Sequence, residues 1–166
     1  MTRPACIEIS PARKADVPLI LSLIKELADY EKLKAEAVAT AATLEHALFG
    51  PRPAAEALIA RSGGEPAGFA LYFHNFSTFL GRQGLYLEDL FVRPQFRGAG
   101  VGKALLARLA RVALERDCGR FEWAVLDWNR PARDFYEALG AEANPTWVSY
   151  RITGQALEKL AGSLSE

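Results

Sequence analysis

The sequence predicts a mixed α/β fold, and three observations support this class. Apolar runs at residues 57–60 and 67–73 flank Ser62-Gly63-Gly64-Glu65, which is typical of the turn in a β-hairpin. A third apolar run, residues 85–92, leads through a glycine-rich loop into a segment whose apolar residues have helical spacing: Val101, Leu105, Leu109, Val112 and Ala113. Strands and helices that alternate in this way form a central sheet flanked by helices.

Shorter patterns predict the remaining elements of the N-terminal half. Residues 6–9 alternate as a strand does, and Asp16 begins an apolar-periodic helix. A second helix is expected at 41–49, before a Gly-Pro-Arg-Pro stretch. Residues 75–84 are expected to form a loop that Phe76 and Phe79 anchor.

The C-terminal part of the chain continues the alternation. After the long helix we expect a strand at 121–126, a final strand at 147–152 and a tail helix at 155–160. Asn129 is a natural N-cap for a helix that ends before Gly140. No repeat or linker divides the chain, so a single domain over residues 1–166 is expected.

The composition excludes several classes of partner. Among 166 residues, 20 basic side chains balance 20 acidic ones, so no excess charge favours nucleic acid or an anionic membrane. Cys6 and Cys118 lack the spacing of a metal site or a disulfide framework, and His46 and His74 are isolated in the sequence. We therefore expect no metal and a reducing, cytoplasmic location.

The glycine-rich loop is the strongest candidate for a binding site. Arg97-x-x-Gly100-x-Gly102 opens the long helix, where uncovered N–H groups and the positive end of the helix dipole attract phosphate oxygens. A Walker loop would need glycine in place of Arg97 and a hydroxyl residue in place of Ala104, and a dinucleotide fingerprint would need glycine in place of Lys103. A glycine-rich turn without a ligand is the alternative.

Two acids interrupt the apolar strand directly before this loop. A carboxylate at Glu88 is expected to be desolvated, with a raised pKa that suits a general base. Asp89 follows it and should point to the opposite face of the sheet unless a bulge intervenes. An ion pair with an arginine is the alternative for either acid.

These motifs together resemble the GCN5-related N-acetyltransferase (GNAT) superfamily. Its Arg/Gln-x-x-Gly-x-Gly/Ala signature matches residues 97–102, and its Asn-x-x-Ala-x-x-Phe-Tyr-x-x-x-Gly helix matches residues 129–140. More narrowly, residues 23–31, 85–89 and 128–131 are similar to the diamine (spermidine/spermine) acetyltransferase branch. The resemblance implies a single-domain GNAT fold, with a mixed, mostly antiparallel sheet that splays at the cofactor slot.

The resemblance further implies that acetyl-CoA is the cosubstrate. Its diphosphate is expected on the N–H groups of Gly98, Ala99, Gly100, Val101 and Gly102, with Arg97 and Lys103 adding charge. Its pantetheine arm is expected along the backbone of Leu90, Phe91 and Val92, and against Asn129 and Ala132. Helix capping explains Asn129 equally well.

The implied reaction is direct transfer of an acetyl group to a small primary amine in a ternary complex. Such an amine, with a pKa near about 10, arrives protonated at neutral pH, so a base is needed. Glu88 takes this role, directly or through water, and Tyr136 matches the position of the family's general acid. Tyr30, Glu31 and Trp147 match positions that contact the amine, and we expect them to bind it together with Glu88 and Asp89.

Two departures from the branch pattern bear on the substrate. Ser77 and Pro145 stand where polyamine enzymes of this branch carry acids, so a diamine, a lysine analogue such as thialysine, or another small amine fits as well as a polyamine. The resemblance also implies a homodimer. A non-catalytic acetyl-CoA sensor and an acetyltransferase of protein amines are the alternatives.

Overall fold

The computed structural model describes residues 6–164, which fall into two compact units with the boundary between Ala124 and Val125. The strands are β1 (Ile7–Pro11), β2 (Glu56–Ser62), β3 (Glu65–Ser77), β4 (Arg82–Val92) and β5 (Phe121–Trp123). The helices are α1 (Val17–Tyr30), α2 (Ala41–Phe49), α3 (Val101–Glu115), α4 (Arg130–Ala138) and α5 (Gly154–Ala161).

All five strands belong to the N-terminal unit and form one sheet in the order β1-β2-β3-β4-β5. Neighbours are antiparallel except β4 and β5, which are parallel. The parallel pairing joins only Leu85–Leu87 to Phe121–Trp123, so within the described residues the second half of β4 pairs with a strand on one side only. The predicted mixed, mostly antiparallel sheet is therefore confirmed, including its opening beside β4.

Helices cover both faces of this sheet because its central strands are apolar on both sides. A core on one face joins α1 and α2 to the sheet, and it includes Ile20, Leu23, Ile59, Phe69 and Phe91. The apolar stripe predicted for α3 is buried throughout, with Leu105 and Leu109 at 0% exposure. The pattern of 3.6 residues per turn thus identified the side of α3 that packs.

The predicted hairpin turn is confirmed, since Gly63 and Gly64 both have positive φ, as a tight two-residue turn requires. The predicted loop at 75–84 is wrong. Strand β3 runs on to Ser77 and β4 starts at Arg82, so only a short turn remains. Phe76 and Phe79 are 61% and 100% exposed and anchor nothing within the described residues.

Gly84 explains why residues 75–84 were wrongly predicted to form a loop. A Cβ at Gly84 would stand 2.2 Å from Oδ1 of Asn75, which is its cross-strand partner. This glycine permits a close approach between two strands and does not mark a turn. Ser77 closes the actual turn by accepting a hydrogen bond from the N–H of Leu80 at 3.2 Å.

The second unit holds α4 and α5 and corrects two further expectations. The strand expected at 121–126 stops at Trp123. The strand expected at 147–152 is wrong for the described residues, because this segment pairs with no strand there and leaves Trp147, Val148 and Tyr150 exposed. Apolar and β-branched composition favours a strand, but a ladder also needs a partner.

Candidate active site

The glycine-rich loop has the geometry of an anion receptor. Gly98 and Gly100 have φ of 75° and 88°, and Gly100 is the N-cap of α3. No side chain caps the helix, and the N–H of Ala104 donates to the carbonyl of Gly100 at 2.9 Å, so the N–H groups of Val101, Gly102 and Lys103 precede the first helical hydrogen bond. A fifteen-residue helix therefore presents its positive end and a row of uncovered donors to solvent.

The backbone of β4 leading into this loop has one free edge. The N–H of Arg93 donates to the carbonyl of Ala67 in β3, at 2.9 Å, so Arg93 and Phe91 turn their backbone groups toward β3. By the alternation of a strand, Leu90 and Val92 turn theirs to the side where β5 no longer pairs. Leu90 and Val92 can thus bind a peptide-like group, whereas Phe91 packs its side chain in the core.

A bulge in β4 brings the two predicted acids together. The register pairs Leu71 with Asp89 and Tyr72 with Leu87, so Glu88 is an extra residue without a partner on β3. A bulge interrupts the alternation of side chains. Glu88 is exposed, so the expectation of a desolvated carboxylate at this position is wrong.

Asp89, and not Glu88, is the desolvated carboxylate. Burial, and then the negative charges of Glu88 and Glu31, raise the pKa of Asp89 to about 6. Burial also raises the pKa of Glu31, at the end of α1. The structure therefore gathers three of the predicted acids into one cluster beside the free edge of β4.

The raised pKa of Asp89 predicts a pH-dependent cost to stability. A carboxyl with a folded pKa above its usual value binds its proton more tightly in the native state, so the free energy of unfolding decreases as pH rises from about 4 to about 6. We expect Asp89→Asn to raise the free energy of unfolding by about 1 to 3 kcal/mol at pH 7.5, a gain that shrinks toward zero near pH 4. Urea denaturation at both pH values measures it.

The matched control is Asp29→Asn, because Asp29 is an exposed acid whose ion pair with Lys34 spans 3.7 Å. This substitution should change stability by less than about 0.5 kcal/mol at either pH. An Asp89→Asn gain that stays the same from pH 7.5 to pH 4 would contradict a titrating, desolvated Asp89.

Four of the remaining predicted residues, Asn129, Ala132, Tyr136 and Trp147, lie in the C-terminal unit. Asn129 is buried, and its Oδ1 accepts from the N–H of Ala132 at 3.4 Å, which confirms it as the N-cap of α4. Tyr136 is half-buried, and its ring lies 5.4 Å from that of Phe135. Trp147 is 79% exposed.

His74 is isolated in the sequence but has partners in the fold. Its Nδ1 donates to the carbonyl of Gly84 at 3.0 Å, and its Nε2 lies 2.9 Å from a guanidinium nitrogen of Arg116. The thiol of Cys118 is 3.8 Å from Nδ1, but burial raises the pKa of this thiol, so it is poorly suited to act as a nucleophile. Arg116 also holds Glu56 in a two-point ion pair.

A cavity of 710 Å³ lies beside this network, and its lining includes Glu56, Tyr72 and His74. Arg116 follows the last turn of α3, so the helix rise places the cavity roughly 20 Å from Gly100 at the other end. The cavity is therefore distinct from the glycine-rich loop. Within residues 6–164 no group of three or more His, Cys, Asp or Glu could hold a metal ion, and no helix there is long and apolar enough to cross a membrane.

The loop and the free edge together fit acetyl-CoA. The donors of residues 98–102 suit a diphosphate, and the backbone groups of Leu90 and Val92 suit the amides of its pantetheine arm. Both features come from backbone conformation, and a Cβ at Gly98 or Gly100 would meet no atom closer than 3.9 Å, so the cradle is open.

Comparison with known proteins agrees with this geometry. The profile of the acetyltransferase (GNAT) family matches residues 22–141. The thialysine N-epsilon-acetyltransferase of Bos taurus is 39% identical over 169 residues, which cover 95% of this chain and 99% of the relative. The L-ornithine N5-acetyltransferase NATA1 of Arabidopsis thaliana is 46% identical over 94 residues, covering 57% of this chain and 41% of the relative.

A solved structure supports the fold as well. An integron cassette protein from the mobile metagenome of V. cholerae superposes with a TM-score of 0.78 at 29% identity, covering 93% of this chain and 97% of its own. With its cradle, its splayed strand and these relatives, the protein is an N-acetyltransferase that uses acetyl-CoA. The chain belongs to the acetyltransferase (GNAT) family, in the branch similar to the diamine acetyltransferases.

Proposed function

We propose that the protein acetylates the terminal primary amine of a small amino compound, of the kind represented by thialysine or ornithine. The observation that carries this proposal is the cluster of Glu31, Glu88 and Asp89 beside the free edge of β4. The negative charges of Glu88 and Glu31 raise the pKa of Asp89, so this cluster is stabilised by an incoming cation. An ammonium group supplies that cation.

The three acids have different proposed roles because they differ in their exposure to solvent. Asp89 and Glu31 are the more desolvated, and they hold the cationic substrate, with Tyr30 beside them. Glu88 is exposed at the bulge, within reach of solvent, so it accepts the amine proton through a water molecule. The bulge lets neighbouring acids serve different roles at one site.

The acetyl donor and the proton donor complete the proposal. When bound, acetyl-CoA supplies an activated acetyl group as a thioester. Residues 98–102 hold its diphosphate, with Lys103 adding charge, and the N–H of Leu90 polarises the acyl carbonyl. Tyr136 donates the proton that the departing sulfur needs, since a phenol stays protonated to about pH 10. Asn129, Ala132 and Trp147 keep the cofactor and substrate roles that the resemblance implies.

The proposal also covers the domain organisation, oligomeric state, location and partners of the protein. We propose a single catalytic domain, a homodimer and a cytoplasmic location, without a nucleic-acid or membrane partner. The balanced charge and the free thiols of Cys6 and Cys118 support this setting.

A panel of amines tests the function. We expect thiol release from acetyl-CoA with thialysine and ornithine, and slower release with spermine, because the branch's acids at Ser77 and Pro145 are missing. The KM for thialysine should decrease as pH rises through about 6, since Asp89 becomes charged there. Glu88→Gln should lower kcat by about 100-fold with a small change in KM.

The two alternatives give different results in the same assay. A sensor of acetyl-CoA would bind CoA without releasing thiol for any amine. An acetyltransferase of protein amines would release thiol with peptides at micromolar concentration and ignore the free amino compounds.

A further inference from the structure

Arg97 makes contacts that its expected role does not require. Its Nε donates to the carbonyl of Val92 at 2.9 Å, and its guanidinium carbon lies 4.7 Å from the centre of the Tyr30 ring and 5.7 Å from that of Phe91. Arg97 begins the glycine-rich loop, whereas Tyr30 ends α1 beside Glu31. One side chain therefore links the cofactor cradle to the amine-binding residues.

We propose that Arg97 is a positioning residue that makes amine binding depend on the cofactor. Over the Tyr30 ring its guanidinium occupies the place of the substrate's ammonium, and a diphosphate at residues 98–102 draws it away. This inference rests on the proposed function, because it requires CoA at the loop and an amine at Tyr30.

The competition for Arg97 follows from the strengths of its two acceptors. A hydrogen bond between a guanidinium and a neutral carbonyl is weaker than the charge-assisted, two-point bond that the same group makes with phosphate oxygens. Val92 also turns its carbonyl to the free edge of β4, where the pantetheine amides are expected. Arg97 must therefore release Val92 for that edge to become available.

The competition at Tyr30 is between two cations. The face of an aromatic ring attracts a guanidinium and an ammonium by the same electrostatic force. Because Tyr30 is 37% exposed and carries Arg97 on its face, an ammonium there must displace the guanidinium or wait for it to leave. With the guanidinium on the diphosphate, Tyr30 and the neighbouring Glu31 are open to the substrate.

The test is a binding cycle that needs no turnover. Calorimetry measures the affinity for thialysine with and without saturating CoA, in the wild type and in Arg97→Gln. In the wild type we expect CoA to tighten thialysine binding by about 5- to 30-fold, within the usual range of coupling between two sites. In Arg97→Gln we expect thialysine to bind about as tightly without CoA as the wild type does with it. The ratio of the thialysine affinities with and without CoA should therefore be about 1 in this variant.

Two further variants separate positioning from a structural role. Arg97→Lys keeps a charge but lacks the planar fork, so it should retain part of the coupling. Arg111→Gln removes an exposed arginine from α3 and should leave the coupling at its wild-type value. Failure of the wild type to bind CoA would overturn the proposed function. Normal CoA binding without coupling, or wild-type coupling in Arg97→Gln, would overturn this inference alone.

Discussion

Gly100→Asp is expected to weaken CoA binding by about 100-fold or more, because it sets a carboxylate among the N–H donors proposed to bind the diphosphate. Gly100 has φ of 88° and is the N-cap of α3. The side chain has room, since its Cβ would be 3.9 Å from the nearest atom, in Ile7. The loss would therefore come from charge, and calorimetric titration with CoA measures it.

Gly100→Asn is the matched control for this variant. Asparagine has the same shape without the charge, and Asn and Asp both tolerate the left-handed conformation better than other residues. We expect Gly100→Asn to lose no more than about 10-fold in affinity. Equal losses in the two variants would mean that backbone strain, not repulsion of phosphate, explains the result.

Tyr136→Phe should lower kcat by about 100-fold while CoA affinity stays within about two-fold, because in the proposed mechanism the hydroxyl that it removes acts only during the reaction. Steady-state kinetics with thialysine and a CoA titration of the same preparation measure the two effects. The loss should be seen in kcat and in kcat/KM alike.

Tyr150→Phe provides the comparison, since Tyr150 is a 93% exposed tyrosine of the same C-terminal unit. Tyr150→Phe should leave both kcat and the affinity for CoA unchanged. A Tyr136→Phe enzyme with full turnover would remove Tyr136 from the mechanism. A variant with lost CoA affinity would make Tyr136 a binding residue.

The sequence was most informative where one local rule decides the structure. Helix α2 spans residues 41–49 as predicted, because Thr40 accepts from the N–H of Thr43 at its start and a proline follows its end. The glycine-rich loop was equally predictable from the sequence, since only glycine adopts the φ of residues 98 and 100 without strain. In both cases the relevant neighbours lie within a few residues along the chain.

The sequence failed where distant residues decide. The bulge at Glu88 depends on the register between β3 and β4, and the desolvated carboxylate expected at Glu88 is found at Asp89 instead. The contact of Arg97 with Tyr30 joins residues far apart in the chain, and no spacing predicts it. Periodicity also favoured a strand at 147–152, although it carries no information about which edge would pair with it.

The free edge of β4 has a consequence for how the enzyme can vary. A ligand held there takes the place of a missing strand and is recognised through main-chain amides and carbonyls, which every residue type shares. Substitutions at Leu90 or Val92 can therefore change side-chain chemistry without erasing cofactor recognition. This part of the chain is free to adapt toward new acceptors while the acetyl donor stays the same.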